Sequence, residues 1–239
     1  MTTPFQFVEW PCPAADGETR SEAALVFNRA RDTRLLVIPP LFEEANKLRR
    51  QIVEIMRRLD DAGIDSVLPD LPGCNESRAL LAQQTLEGWR AGAAAAVEHF
   101  GATHVLSLRG GALLRPAGLR GWDYAPQDGP KIVRSMVRAR IISTKEAGAP
   151  ETREEIEATG RSEGVQLAGW SIGPALFAAL ESAEVPARDD RVTLIDHETL
   201  GGRPLWLRAE PDFDAAQADA FEPGDGVGVE TQRGDRQGR

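Results

Sequence analysis

Apolar residues along this 239-residue chain fall into short continuous runs separated by longer segments with helical spacing. Leu35 to Ile38, Ser66 to Leu68 and Val105 to Leu108 are runs of the kind that strands buried on both faces show. Between the first two, Leu48, Ile52, Ile55, Met56 and Leu59 recur at helical spacing, and Gly63 stands just past them as a stop. Between the second and third, Leu86, Trp89, Ala93, Val97 and Phe100 mark another helix, closed by Gly101. Strand, helix, strand, helix, strand with short loops predicts a doubly wound, mostly parallel α/β sheet. Ahead of it, the stretch around Phe5, Phe7 and Val8 and the stretch Ala23 to Phe27 predict two more strands, joined by a Pro/Gly/Asp-rich turn.

Past Leu114 the pattern loosens. Residues 115–130 are rich in Gly and Pro around Trp122 and Tyr124 and predict irregular chain. Ile132, Val133, Met136 and Val137 then mark a helix with Arg134, Arg138 and Arg140 outward. Residues 143–164 are polar and charged, helical at most over Glu151 to Thr159. The segment from 127 to about 175 reads as an insertion or lid over the sheet. Val192 to Ile195 and Leu205 to Leu207 are the last strand candidates. After Phe221 the chain turns to Gly, Asp, Arg and Gln, a composition that buries too little apolar surface to order itself. The expected organisation is one α/β domain over 1–221 with a shortened C-terminal end, and a disordered tail over 222–239.

Charge and composition narrow the function classes. A net charge of −9 argues against a general nucleic-acid binder, which needs a positive field to displace phosphate counterions. Two cysteines, Cys12 and Cys74, make no disulfide framework and fit a reducing compartment. The N-terminal stretch lacks the basic and apolar regions of a secretory signal, and no apolar run approaches a membrane span. The expectation is a soluble cytoplasmic protein, with a small-molecule or protein partner of unspecified identity. Three scattered histidines and no close cysteine pair supply no metal-ligand spacing, and the glycine pair after Arg109 lacks the phosphate-loop spacing and its lysine. No metal or cofactor is expected.

In an open parallel sheet the binding crevice lies beyond the carboxyl ends of the strands. That rule gathers residues 39–47, 70–77 and 107–111. The first of these loops concentrates Glu43, Glu44, Asn46 and Lys47 where a helix begins, a place where the helix dipole favours acids. The third has Arg109 at its apex, after a strand and before a glycine pair, where a strand–turn–helix protein usually carries its nucleophile. An arginine there is costly to desolvate alone and calls for a bidentate acid, Glu43 or Glu44. The plainer alternative is a solvated, dipole-matched helix start.

The stretches IPPLFEEANKLRR, LPDLPGCNES and LSLRGGALL together resemble the exosortase A system-associated hydrolases of the type 2 group. The resemblance extends from about Leu35 to Asp212, through Trp122 to Arg140 and Ala168 to Leu176. It implies an α/β-hydrolase fold and an exopolysaccharide or protein-sorting setting. It also implies an elbow reading Gly-Leu-Arg instead of Gly-x-Ser, although here Ser107 stands where that family commonly has glycine.

A competing motif is Gly169-Trp170-Ser171-Ile172-Gly173, which fits G-x-S-x-G after the strand-like VQLA and before the helix-like PALFAALE. A hydrolase built on it would use Ser171, or Ser107, with His197 as base and Asp212 or Asp196 as the acid. The backbone amides after Pro40 would then form an oxyanion hole. In this fold the acid and then the histidine follow the nucleophile in chain order, yet His197 precedes Asp212 and no histidine lies beyond it. Pro174 also gives the glycines a plain role at a helix start. Asp212, or Asp214, equally suits a loop before a helix starting near Ala215. Cys74 fits a small turn residue better than a thiol nucleophile, since no cation precedes Arg78 nearby. The reading favoured from sequence is a noncatalytic or diverged α/β-hydrolase-fold accessory or ligand-binding protein; the alternative is the Ser171 esterase-type hydrolase.

Overall fold

Residues 5–14 and 17–221 are described by a computed structural model, so the tail expected over 222–239 lies outside the described residues. The chain opens with strands β1 (Gln6–Pro13) and β2 (Thr19–Phe27), an antiparallel pair with Trp10 opposite Glu22. Then β3 (Arg34–Ile38), α1 (Glu43–Asp61), β4 (Asp65–Pro69), α2 (Leu86–Phe100) and β5 (His104–Leu108) follow in the alternation that the apolar runs predict. β6 (Arg120–Tyr124), α3 (Gly129–Glu146), α4 (Arg153–Ser162), β7 (Val165–Leu167), β8 (Trp170–Ile172), α5 (Pro174–Leu180), β9 (Val192–Ile195), α6 (His197–Leu200) and α7 (Ala215–Asp219) complete the order. Seven strands form the main sheet in the order β1-β2-β4-β3-β5-β6-β9. From β4 to β9 every neighbouring pair is parallel, and β2 joins β4 antiparallel.

Continuous apolar strands follow from a sheet covered on both faces. Leu35, Val37, Leu106 and Leu108 point to one side, where α1 supplies Leu48, Ile52, Ile55 and Leu59. Leu36, Ile38, Val67 and Val105 point to the other, against Trp89, Ala93 and Ala96 of α2. Thr85 caps α2 by accepting the Gly88 amide at 2.9 Å, and Gly101 ends it at φ 62. α3, α4 and α5 pack on the α2 side, where Ile132, Val137, Ile156, Leu176 and Phe177 join the same core.

Two elements differ from the sequence expectation. Residues 120–124, expected to be irregular, form β6, the strand beside β5. Its Gly121 lies opposite Val105, and a Cβ there would stand 2.0 Å from the Val105 carbonyl oxygen, so close backbone approach requires glycine. Leu205–Leu207, expected as a strand, is a 3-10 turn, and among the described residues no strand follows β9.

Candidate functional site

β5 delivers the chain to the carboxyl edge of the sheet at Leu108, and a 3-10 helix, Arg109–Leu114, starts at the next residue. The reversal is made at Arg109, which takes φ 53. A left-handed conformation is uncommon for a side-chain-bearing residue and concentrates at functional or tightly constrained positions. The apex is thus a sharp strand-to-helix elbow with a guanidinium at its tip.

That guanidinium is almost completely engaged. Nε and Nη2 of Arg109 donate to the two carboxylate oxygens of Glu44 at 3.0 and 3.1 Å. Nη1 donates to the Ala125 carbonyl at 2.9 Å, and Nη2 also donates to the Gln127 side chain. Its carbon lies 4.2 Å from the centre of the Trp206 ring, a cation–π contact. One side chain therefore ties together the start of α1, the loop after β6 and the 3-10 turn near the C-terminus. Sequence reasoning left Glu43 and Glu44 open as partners. Glu44 is the one bonded, while Glu43 pairs with Lys47 at 2.8 Å, four residues on. Asn46 sits on the exposed face of α1.

Gln127, Trp206 and the Ala125 carbonyl were not found from sequence. Trp122 and Tyr124 were visible there only as aromatics in a Gly/Pro-rich stretch, and no periodic pattern signals a loop that closes on a residue 16 or 18 positions earlier.

His197 begins α6 just past β9 and reaches the same edge of the sheet. The Tyr124 hydroxyl meets its Nδ1 at 2.7 Å, and its Nε2 lies 3.2 Å from the Gly202 carbonyl. Burial pushes the Tyr124 hydroxyl well above the ordinary tyrosine range, so it stays protonated. The Gly202 carbonyl can only accept, so Nε2–H donates to it. Both ring nitrogens are therefore turned to the protein, and the ring packs edge-on against Trp206 at 5.0 Å.

Ser171 is not at an elbow. β7 and β8 form a two-stranded antiparallel hairpin apart from the main sheet, with Leu167 opposite Trp170 and Gln166 opposite Ser171. The residues between, Ala168 and Gly169, have φ 47 and 88, the two positive values of a tight type I′ hairpin turn. The G-x-S-x-G letters thus span a hairpin turn, a strand and the N-cap of α5, with Ser171 donating to the Gln166 side chain at 2.5 Å. Ser107 points into the interior and is fully buried. It donates to Asp123 at 2.5 Å, and Arg115 Nε stands 3.1 Å from the same oxygen.

Asp212 pairs with Arg208 and accepts the Phe213 amide at 2.8 Å. That amide, then the Arg208 charge, holds its carboxyl below the usual range. Asp214 caps α7 by accepting the Gln217 amide at 3.2 Å, and Asp196 takes the cap position of α6. Cys74 is partly buried, and burial followed by the Asp70 and Glu22 charges pushes its thiol up to about 12, so no thiolate forms near neutrality. His99 packs against Trp10 and Phe100, and His104 stacks on Trp122 at the opposite edge of the sheet.

Beside the elbow lies a small cleft of about 50 Å³. Leu41 and Phe42 on one side, Gly110 at the elbow, and Ile132, Ser135 and Met136 of α3 line it, with Glu44 and Gln127 at its polar end. Phe42 packs its ring against Trp89 and Trp170, which couples the cleft wall to α2 and the hairpin. Among the described residues no group of three or more His, Cys, Asp and Glu could hold a metal, and no helix is long and apolar enough to cross a membrane.

No family model matches the sequence, and no curated protein matches it. Solved structures do. Est1E from Butyrivibrio proteoclasticus, in a complex with ferulic acid, aligns at 15% identity and a TM-score of 0.50, over 72% of this chain and 71% of that one. Alpha/beta hydrolase domain-containing protein 10 from mouse aligns at 16% identity and a TM-score of 0.50, over 73% of each. At such identity the likeness speaks to architecture alone, and it agrees with the mostly parallel sheet and the flanking helices. The chain has an α/β-hydrolase fold.

Proposed function

We propose that this chain is a diverged α/β-hydrolase-fold protein that binds a ligand without cleaving it. The setting implied by its resemblance to the exosortase A system-associated hydrolases is exopolysaccharide synthesis or protein sorting. One observation carries the reading: the elbow apex holds Arg109 at φ 53, with its guanidinium bonded to Glu44, Ala125 and Gln127. A guanidinium remains protonated at any relevant pH and cannot attack an acyl carbon. With its donors engaged, Arg109 acts as a tie between loops, and the binding surface is the neighbouring cleft. There Leu41, Ile132 and Met136 offer apolar contact while Gln127 and Ser135 offer hydrogen bonds.

The test uses a serine-reactive fluorophosphonate probe and short-chain p-nitrophenyl esters. Wild type, Ser171→Ala and Ser107→Ala are compared. The expected outcome is no labelling and no ester turnover above a heat-denatured control in any of the three. Labelling of the wild type that disappears only in Ser171→Ala would overturn the reading in favour of a serine hydrolase using Ser171, His197 and an aspartate.

A further inference from the structure

Glu22 stands on β2 opposite Trp10, with only 3% of its surface exposed. The other buried carboxylates, Asp60, Asp65, Asp70 and Asp123, each have an arginine within ion-pair distance. Among the described residues Glu22 has none. Its Oε1 accepts from the Ser77 hydroxyl at 2.9 Å, while its Oε2 is buried without a hydrogen-bond partner. A carboxylate taken out of water with no cation against it is costly, and the common response is to hold a proton.

Ser77 sits in loop 70–79, which closes on β2 beyond the carboxyl end of β4. Its hydroxyl oxygen accepts the Gly73 amide at 2.8 Å and the Ala79 amide at 3.2 Å. The loop is thus folded around Ser77, and Ser77 fastens it to β2 through Glu22.

The charged and titratable groups around Glu22 come from several segments. Arg20 lies two residues back on β2, and Asp70 opens the loop, held by Asn75 at 2.7 Å and by Arg49 of α1 at 3.4 Å. The thiols of Cys12 on β1 and Cys74 in the loop are pushed up to about 12, chiefly by burial, and are neutral. Burial pushes the Glu22 carboxyl up; the Ser77 hydrogen bond opposes this, the Asp70 charge adds to it and the Arg20 charge opposes it. The closed loop therefore binds the Glu22 proton more tightly than an open, hydrated one. Closure loses stability as the pH rises from the ordinary glutamate value, about 4.3, through the higher value of the folded chain.

We propose that Glu22 is a proton-operated latch on loop 70–79. Protonated, it lies uncharged beneath the loop. When its proton passes to solvent it becomes a second negative charge beside Asp70, and the loop opens to let water reach it. The latch stands or falls independently of the ligand-binding function proposed above.

Carbon-13 spectra of the glutamate carboxyl groups, recorded on the full chain from about pH 4 to about pH 8, follow the titration of Glu22, whose signal is assigned by its loss in Glu22→Gln. The expected midpoint lies above the ordinary glutamate range, and Asp70→Asn, which removes the like charge, is expected to lower it. Hydrogen exchange, corrected for the intrinsic pH dependence of amides, follows the loop. Protection of the Gly73 and Ala79 amides is expected to fall several-fold as Glu22 ionises, with Val37 and Leu106 at the sheet centre retaining theirs. Glu22→Gln stays neutral, and its loop protection is expected to hold constant over the same range. A Glu22 midpoint within or below the ordinary range would overturn the proposal, as would an unchanged midpoint in Asp70→Asn. So would loop protection that does not fall in the wild type, that falls equally in Glu22→Gln, or that falls no more than at Val37 and Leu106. The wild-type titration and exchange decide the outcome even where a variant does not fold.

Discussion

Arg109 is one side chain doing what usually takes several contacts, because its planar fork meets a carboxylate, a carbonyl, an amide and an aromatic face at once. Its strength depends on Glu44, which is 26% exposed against 13% for the arginine. Partial exposure keeps the pair well below the 3–5 kcal/mol or so that breaking a fully buried pair costs. Arg109→Met should therefore destabilise by about 1–3 kcal/mol, since Glu44 can turn toward water. Arg109→Glu should cost more, because it sets a second carboxylate against Glu44. Urea midpoints of the two variants provide the comparison, and equal stability would remove the pairing as a stabilising element. A double-mutant cycle adds the partner's identity: Glu44→Gln should couple to Arg109→Met by about 1 kcal/mol or more, and Glu43→Gln should not couple. That an acid would meet Arg109 was legible from the residue types and the helix start. Which acid was not, because Glu43 and Glu44 are neighbours in the first turn, and only the rotation of α1 on the sheet decides which faces the elbow.

Among elements, β6 carries the clearest divergence between local pattern and tertiary need. The sequence around it, Leu119-Arg120-Gly121-Trp122-Asp123-Tyr124, alternates too little and contains a glycine, both marks of a loop. In the sheet, Gly121 is the residue that lets β6 come down on β5 beside the Val105 carbonyl. Asp123 is buried because Ser107 and Arg115 meet it there. Local propensity therefore points away from a strand whose existence rests on its neighbours. Gly121→Ala places a methyl group 2.0 Å from a backbone oxygen, and backbone cannot swing aside as a side-chain tip can. The expected cost is about 3 kcal/mol or more, above the range of ordinary substitutions. Thermal unfolding of the variant measures it, and a loss under about 1 kcal/mol would show that β6 shifts without penalty. By contrast β3, β4 and β5 were legible, since strands buried on both faces advertise themselves as apolar runs. The β7–β8 hairpin was misleading for the opposite reason: Gly169 and Ser171 match a catalytic motif, but the positive φ values fall on Ala168 and Gly169 and not on the serine.

At the scale of the molecule, the sheet is finished on one side by the β1–β2 hairpin and on the other by β9, after which, among the described residues, the chain folds back without adding a strand. Residues 197–221 instead cover the α1 face of the sheet. Leu205, Ala218 and Phe221 enter the core with Tyr124 and Ile195. Because these apolar positions are few and widely spaced, the docking also needs polar attachment. Gln51, on α1 and 3% exposed, supplies it by donating to the Asp214 carbonyl at 3.2 Å and accepting the Asp214 amide at 2.8 Å. Arg58 adds an ion pair to Asp219 from the next turns of the same helix. The segment carries Trp206, so its docking also holds the aromatic face over Arg109 and the ring beside His197. Gln51→Leu preserves the helix and nearly the volume, but leaves both backbone groups of Asp214 without their partner. The expected loss is about 2 kcal/mol, from two unsatisfied peptide groups that regain water only in part. It should fall unevenly on the molecule. Hydrogen exchange of the amides in α7 should quicken several-fold, while those of β3 and β5 at the sheet centre should follow only the change in global stability. Uniform quickening in β3, β5 and α7 would instead mean that the C-terminal segment unfolds with the sheet, and that Trp206 is held by the core alone.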